Sequence, residues 1–195
     1  MKQHVLVIDG HPDPEPARLC HALADAYAEG ARQAGLNAGV IRLSGIDIQF
    51  LRSREEFENQ EPEAPIRSAQ QAIEAASHLV LVYPLWLGTM PALMKAFLEQ
   101  TFRPAFAAGD SDRGMMWPRR LKGRSARVVV TMGMPAFFYR WYFRAHSLKS
   151  LERNILKFCG IKPVRETLLG LVETASEEKR RRWLQNMRDL GARAR

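Results

Sequence analysis

An unusually apolar loop, residues 84–90, follows a short run typical of a buried strand and precedes an amphipathic helix. Leu85, Trp86 and Leu87 stand in this loop, which is too apolar for an ordinary solvated connection. In an open parallel sheet, ligands bind beyond the carboxyl ends of the strands, so a flat and largely apolar cofactor could lie here. The loop alone is equally compatible with Trp86 simply covering the end of a sheet.

A second group of candidate residues follows the first predicted strand. The turn Asp9-Gly10-His11-Pro12 leads into a helix, whose free N–H groups and dipole favour a bound phosphate. His11 and Arg18 could add charge-assisted hydrogen bonds to the same anion. No glycine-rich GxGxxG motif accompanies them, and a lone histidine is more often structural than functional.

A third candidate loop follows the strand predicted at residues 125–132. Gly133 lacks a side chain, so a ligand could approach its backbone closely. Tyr139, in the aromatic segment that follows, offers a hydroxyl as a hydrogen-bond donor. From the local sequence, a position in the core or in a dimer contact is the better interpretation of Tyr139.

The elements that must position these loops alternate along the chain. Apolar runs predict strands at residues 3–9, 38–43, 79–83, 125–132 and 164–172. Amphipathic stretches predict helices at about residues 17–34, 66–76, 91–102, 150–158 and 176–190, with a short helical turn at 54–59. This alternation predicts an α/β protein with a flavodoxin-like, doubly wound, five-stranded parallel sheet in three layers. Order 2-1-3-4-5 fits best.

Length and composition narrow the classes of protein to consider. With 195 residues, 46% of them hydrophobic, the chain fits one domain spanning residues 1–195. The formal charge of +8 leaves room for an anionic partner, but no basic stripe carries interleaved aromatics, so we expect no nucleic acid. Cys20 and Cys159 form no CxxC pair, and we expect no metal site. No signal segment or bilayer-length apolar run is seen, which predicts a cytoplasmic protein without a membrane span.

Short motifs in a characteristic order extend over nearly the whole chain. They are His11-Pro12, Pro84-Leu85-Trp86, Pro91-Ala92-Leu93-Met94-Lys95, Phe102, Phe106-Ala107, Lys122-Gly123-Arg124-Ser125-Ala126, Ile155-Leu156 and Phe158-Cys159-Gly160. Each motif is modest, but their joint order is specific. In this order the chain resembles the NAD(P)H:quinone oxidoreductases of flavodoxin-like fold.

The resemblance implies a flavin, either FMN or FAD, at the carboxyl end of the sheet. It also implies NAD(P)H as the electron donor and a quinone or another planar molecule as the acceptor, with hydride transfer through flavin N5. A homodimer with its active sites at the subunit interface is the assembly that the family would lead us to expect.

The resemblance also implies which residues hold the flavin. His11 would contact the phosphate region, next to the positions where many members carry Ser-Phe-Asn and this chain has Arg18, Leu19 and Cys20. The isoalloxazine ring would be lined by Pro84, Leu85, Trp86, Leu87 and Gly88, and along another edge by Thr131, Met132 and Gly133. The family's Thr-Thr-Gly-Gly loop reads Thr131-Met132-Gly133-Met134-Pro135 here, which is a second departure from the pattern.

Two catalytic residues follow from the same resemblance. Tyr139 matches the active-site tyrosine, whose hydroxyl, with the Gly133 backbone, would stabilise the anion of the reduced ring. His146 is the candidate for the active-site histidine that follows it and would protonate the acceptor.

Two other functions stay open. The chain could be a flavin-binding, redox-sensing regulatory partner of another protein, with aromatic residues 137–143 as the contact surface. A weaker alternative is a basic nucleic-acid-binding module, which would be a colourless protein whose affinity for DNA or RNA depends on salt.

The choice between NADH and NADPH is also open, although Arg119, Arg120 or Arg140 could select a 2′-phosphate. The long connection at residues 102–122 has a length typical of functional or partner-binding segments.

Overall fold

The computed structural model describes residues 3–108 and 120–194. In these ranges, one sheet contains five parallel strands in the order β2-β1-β3-β4-β5. The strands are β1 (His4–Asp9), β2 (Asn37–Arg42), β3 (His78–Pro84), β4 (Ser125–Met132) and β5 (Val164–Gly170). The predicted fold class and strand order are therefore confirmed.

Helices connect the strands and cover both faces of the sheet. They are α1 (Leu19–Gln33), α2 (Arg54–Glu58), α3 (Ala64–Ala75), α4 (Ala92–Thr101), α5 (Pro104–Ala108), α6 (Ala136–Trp141), α7 (His146–Ser150) and α8 (Glu177–Ala192). A 3₁₀ turn spans Leu43–Gly45, and α7 continues as a π-helical turn over Leu151–Leu156. The aromatic segment, for which no helix was predicted, forms α6. Part of the long connection, residues 109–119, lies outside the described residues, and so does Arg119.

Strand alternation divides the core between the two faces of the sheet. One face carries Leu6, Ile8, Leu79, Leu81, Val128 and Val130, which belong to a core that includes Ile73 of α3 and Phe97 of α4. The other face carries Val5, Val7, Val80, Val82 and Val129, in a core with Leu23 of α1 and Met187 of α8. Because successive side chains of a strand point to opposite faces, strands this apolar are buried on both sides. Three layers result.

The backbones of α1 and α8 come very close at two glycines. A Cβ atom on Gly30 would lie 2.0 Å from the carbonyl oxygen of Arg188, and one on Gly191 would lie 2.0 Å from that of Tyr27. Only glycine permits this approach. The pair of contacts fixes the position of α1, whose amino-terminal end faces the site described below.

We expect His78 to make stability depend on pH. This buried histidine lies between the Tyr27 hydroxyl, 2.9 Å from Nε2, and the Ser125 hydroxyl, 2.8 Å from Nδ1. Burial lowers its pKa from 6.5 to about 4, and the charges of Arg127 and Arg165 act in the same direction. At a pH between these two pKa values, His78 is protonated in the unfolded chain but neutral in the folded one. The free energy of unfolding should therefore fall by up to about 3 kcal/mol as the pH decreases through this window.

Urea unfolding at about pH 7.5 and about pH 4.5, compared for the wild type and His78→Gln, measures this contribution. The glutamine keeps hydrogen-bonding groups but does not titrate, so the variant should lose that part of the pH dependence. Equal pH dependence in the two proteins would contradict the assignment.

Within the described ranges, every helix is too short or too polar to cross a membrane.

Candidate functional site

The three candidate loops meet at the carboxyl end of the sheet, as the strand order requires. Strand β3 pairs with β1 on one side and with β4 on the other. Hydrogen bonds join the loops directly: the N–H of Gly10 donates to Val82 O at 2.7 Å, and that of Leu85 to Thr131 O at 2.7 Å. We call residues 9–21, 84–90 and 131–135 the rim.

The amino terminus of α1 lacks a side-chain cap. Its N-cap is Arg18, in an extended conformation, and within residues 3–108 and 120–194 no side chain caps the first turn. The N–H groups of His21 and Ala22 contact the Arg18 carbonyl, whereas those of Leu19 and Cys20 have no acceptor among the described residues. Free N–H groups at a helix start form a site suited to an anion such as phosphate.

His11 lies at this helix start with a defined hydrogen-bonding state. Its Nδ1 accepts the Asp13 N–H at 3.1 Å, so Nε2 carries the proton of the neutral ring and can donate. Burial and the nearby His21 lower the pKa of His11. Its ring centroid lies 6.0 Å from that of Trp86, which brings the first two loops together.

The guanidinium of Arg18 forms an ion pair with Asp13 in the first loop of the rim. Its Nε and Nη2 atoms lie 2.7 and 2.5 Å from Asp13 Oδ2. The Glu15 N–H, and then Arg18, lower the pKa of Asp13, so the carboxylate stays charged. The guanidinium of Arg18 is therefore paired with a carboxylate of the same loop, although about half of the Arg18 side chain is exposed.

A buried ion pair beneath this loop was missed in the sequence analysis. Asp9, fully buried at the end of β1, lies 2.5 Å from Nδ1 of His21, which is itself 4% exposed. His21 Nε2 lies 2.9 Å from the carbonyl oxygen of Asp13. The signal that could have revealed the pair is Asp9 itself, since a charge at the end of a buried strand needs a partner.

The apolar loop contains a tight turn, and two of its hydrophobic side chains are exposed to solvent. Trp86 and Thr89 exchange backbone hydrogen bonds of 2.8 and 3.0 Å, and Leu87 and Gly88 between them have φ values of 47° and 78°. Two central residues with positive φ define a type I′ turn. Trp86 is 48% exposed and Leu87 is fully exposed. A leucine whose backbone is in an unfavourable conformation and whose side chain is exposed is typical of a functional position.

We expect Leu87→Asn to stabilise the isolated chain and to weaken the function of the rim. Asparagine tolerates positive φ and completes an Asn-Gly turn, so the free energy of unfolding should rise by about 1 kcal/mol. Urea denaturation gives this value. Leu87→Ala is the matched control because it removes the side chain without relieving the backbone. A Leu87→Asn protein no more stable than the alanine variant would contradict the strain argument.

The third loop is tied to α1 through two buried side chains. Cys20 Sγ lies 3.3 Å from Thr131 Oγ1, and burial raises the pKa of this thiol to about 12. Cys20 is therefore a protonated packing residue that holds α1 against β4. Met132 is also buried, whereas Gly133 is exposed and a Cβ there would lie 3.4 Å from Glu173 Oε1.

Tyr139 and His146 belong to the two short helices after this loop. The Tyr139 side chain is 1% exposed, and its hydroxyl lies 2.7 Å from Ser147 Oγ and accepts the Leu148 N–H at 3.2 Å. The hydroxyl thus joins α6 to α7. His146 is exposed and begins α7. The Tyr139 N–H donates to the carbonyl oxygen of Pro135 at 3.3 Å, so α6 adjoins the third loop of the rim, and His146 follows on α7. The other predicted site residues lie on the rim itself.

An exposed aromatic surface lies on and just after α6. Its members are Phe137, Phe138, Trp141, Tyr142 and Phe143, exposed by 40 to 86%. Phe138 and Tyr142 stack with ring centroids 4.9 Å apart. So many adjacent exposed rings mark an interaction surface rather than scattered surface residues.

The two described arginines considered for a 2′-phosphate are both in ion pairs. Arg120 Nη2 lies 2.5 Å from Glu74 Oε1, and Arg140 pairs with Glu166. Binding a phosphate would therefore compete with a carboxylate at either residue.

Comparison with known proteins agrees with this architecture. A family model described as "Flavodoxin-like fold" matches residues 3–190. The chain is 25% identical over 181 residues to an uncharacterized NAD(P)H oxidoreductase of Haemophilus influenzae, covering 90% of this chain and 88% of that one.

Two solved structures are similar to this one in fold. An NAD(P)H:quinone oxidoreductase from Methanothermobacter marburgensis has a TM-score of 0.80 and 20% sequence identity. The match covers 98% of this chain and 96% of the oxidoreductase chain. An FMN-dependent NADH-azoreductase from Bacillus anthracis, solved in complex with FMN, has a TM-score of 0.76 and 16% identity, covering 98% of both chains. At these identities the likeness establishes the fold.

Proposed function

The chain belongs to the flavodoxin-like fold family, and from this premise we propose that it is a flavin-dependent NAD(P)H oxidoreductase acting on a quinone-like acceptor. The names of the relative from H. influenzae and of the two structural neighbours support this proposal. When bound, the flavin would supply hydride transfer between NAD(P)H and the acceptor. FMN and FAD are both compatible with this proposal.

One observation carries the proposal: the rim combines an uncapped helix start with exposed apolar side chains. A phosphate-bearing, planar cofactor requires both, because its phosphate needs donors and its ring needs an apolar surface. The free N–H groups of Leu19 and Cys20 meet the first requirement, and Trp86 and Leu87 meet the second.

Each rim residue then has a task. His11 and Arg18 bind and orient the phosphate. Pro84, Leu85, Trp86, Leu87 and Gly88 form the apolar wall. Thr131, Met132 and Gly133 form the opposite edge through their backbone, since the first two side chains are buried and Gly133 is exposed.

The two residues of α6 and α7 act differently in this proposal. His146 is the proton donor to the acceptor. Tyr139 positions α7, and with it His146, through its hydrogen bonds to Ser147 and Leu148. A contribution of its hydroxyl to the charge of the reduced ring would require those bonds to rearrange.

A homodimer with shared active sites is part of the same proposal. The aromatic surface supports it, since aromatic residues are enriched in interface cores. Analytical ultracentrifugation should give a mass of two chains, and a single-chain mass at micromolar concentration would contradict the homodimer.

A cytoplasmic location is also part of the proposal. It is supported by two cysteines that are free and buried.

The test of the proposal is direct. The purified protein should be yellow or should bind added FMN or FAD, and it should then oxidise NADH or NADPH with a quinone. Failure to bind either flavin would refute the proposal. Flavin binding without turnover, together with a stable complex with another protein, would favour the regulatory alternative.

A further inference from the structure

The buried pair of Asp9 and His21, at the two ends of the first loop of the rim, makes two well-defined ring contacts. His21 Nδ1 faces the Asp9 carboxylate at 2.5 Å and Nε2 faces the Asp13 carbonyl oxygen at 2.9 Å. When Asp9 is ionised, both acceptors take a proton from the ring, and the ring is then an imidazolium. Asp9 is the carboxylate that balances it.

Arg42 also lies near Asp9, but it is not placed to take over the role of His21 as the partner of the carboxylate. Arg42 Nε lies 3.7 Å from Asp9 Oδ2, but its Nη2 is 2.5 Å from Asp25 Oδ2. Arg42 is partly exposed, and its closer contact is with Asp25. His21 is 4% exposed and makes the short contact, so it supplies most of the compensation for Asp9.

The position of this pair relates it to the anion site. Asp9 ends β1 and its Oδ1 accepts the His11 N–H at 3.2 Å, while His21 lies in the first turn of α1. Asp9 therefore begins the loop that leads into α1, and His21 directly follows Leu19 and Cys20, whose N–H groups are free. A fully buried carboxylate at this place would repel an incoming phosphate strongly, because a charge removed from water is poorly screened.

We propose that His21 is a positioning residue that neutralises Asp9 and thereby allows the rim to accept a phosphate dianion. The inference rests on the proposed flavin site and goes beyond it, because neither residue was assigned a role there. His21 acts through Asp9 and through the loop that Asp13 and His11 form, and it needs no contact with the flavin.

The test compares two ligands that differ only in the phosphate, FMN and riboflavin, by fluorescence titration. In His21→Gln, FMN affinity should fall about tenfold or more, while riboflavin affinity should change less than about twofold. In the double variant Asp9→Asn/His21→Gln, which has no charge at either position, FMN affinity should return to within about threefold of the wild type.

The outcomes separate this inference from the proposed function. If the wild type binds neither ligand, the flavin site itself is refuted. If the two ligands lose affinity together in His21→Gln, the residue is merely structural and the inference is overturned. If His21→Gln does not fold, the double variant decides alone: FMN affinity more than about tenfold below the wild type overturns the inference.

Discussion

The affinity for FMN is expected to fall about 100-fold when Arg18 is replaced by aspartate. Arg18 is the N-cap of α1, directly before Leu19 and Cys20, whose N–H groups are free, and its guanidinium pairs with Asp13. Aspartate at an N-cap accepts a hydrogen bond from the second or third helical residue, so it would occupy the Cys20 N–H, one of the donors proposed for the phosphate. It would also replace a positive charge by a negative one.

Arg18→Asn is the matched control for this experiment. Asparagine caps the helix as well as aspartate and loses the same ion pair with Asp13, but it adds no negative charge. FMN affinity should therefore fall about tenfold in this variant, between the wild type and Arg18→Asp. Riboflavin affinity should change little in either protein.

The folded state of both Arg18 variants should be at least as stable as that of the wild type. A new N-cap contributes about 1 kcal/mol, which offsets the loss of an exposed ion pair worth about 0 to 1 kcal/mol. Weaker binding would then not result from unfolding. Unchanged FMN affinity in Arg18→Asp would show that the phosphate does not lie at the start of α1.

The second large effect is expected on stability, from Gly191→Ala. The added Cβ would lie 2.0 Å from Tyr27 O and 3.1 Å from Ala31 N, both of them backbone atoms of α1. No side chain can rotate away to make room, so α8 must separate from α1. We expect the free energy of unfolding to fall by about 3 kcal/mol or more, at the upper end of the range for overpacking.

Gly45→Ala is the control for this substitution. A Cβ at Gly45 would have no atom within 4 Å, and its φ is not in the left-handed region. The change should leave stability within about 1 kcal/mol of the wild type or raise it slightly. Urea unfolding of the three proteins measures both effects, and a Gly191→Ala protein as stable as Gly45→Ala would contradict the packing geometry.

The strands and the composition of the rim could be predicted because they depend on local patterns, and the strand order followed as the common topology that fits five strands. Apolar runs such as Val5 to Ile8 identify strands buried on both faces. Once five such strands alternate with helices, only a few topologies remain, and the carboxyl-end loops must share one edge. The apolar loop at Trp86 was likewise visible as an anomaly of composition.

The environment of individual side chains could not be predicted in the same way. Tyr139 was assigned a hydroxyl facing the reduced ring, and the structure gives that hydroxyl two partners on α7. Cys20 was assigned to cofactor binding, and the structure buries it against Thr131. Whether these residues serve the flavin in the assigned way stays a prediction.

The sequence by itself determined the strands and layers of this protein and favoured their order, because hydrophobic periodicity is a local property of the chain. Only the tertiary structure decided that Asp9 pairs with His21, that the start of α1 is uncapped and that Leu87 adopts a left-handed conformation. Pairing and backbone conformation depend on which segments meet in space, and the carboxylate of Asp9 finds its partner only when α1 packs against β1.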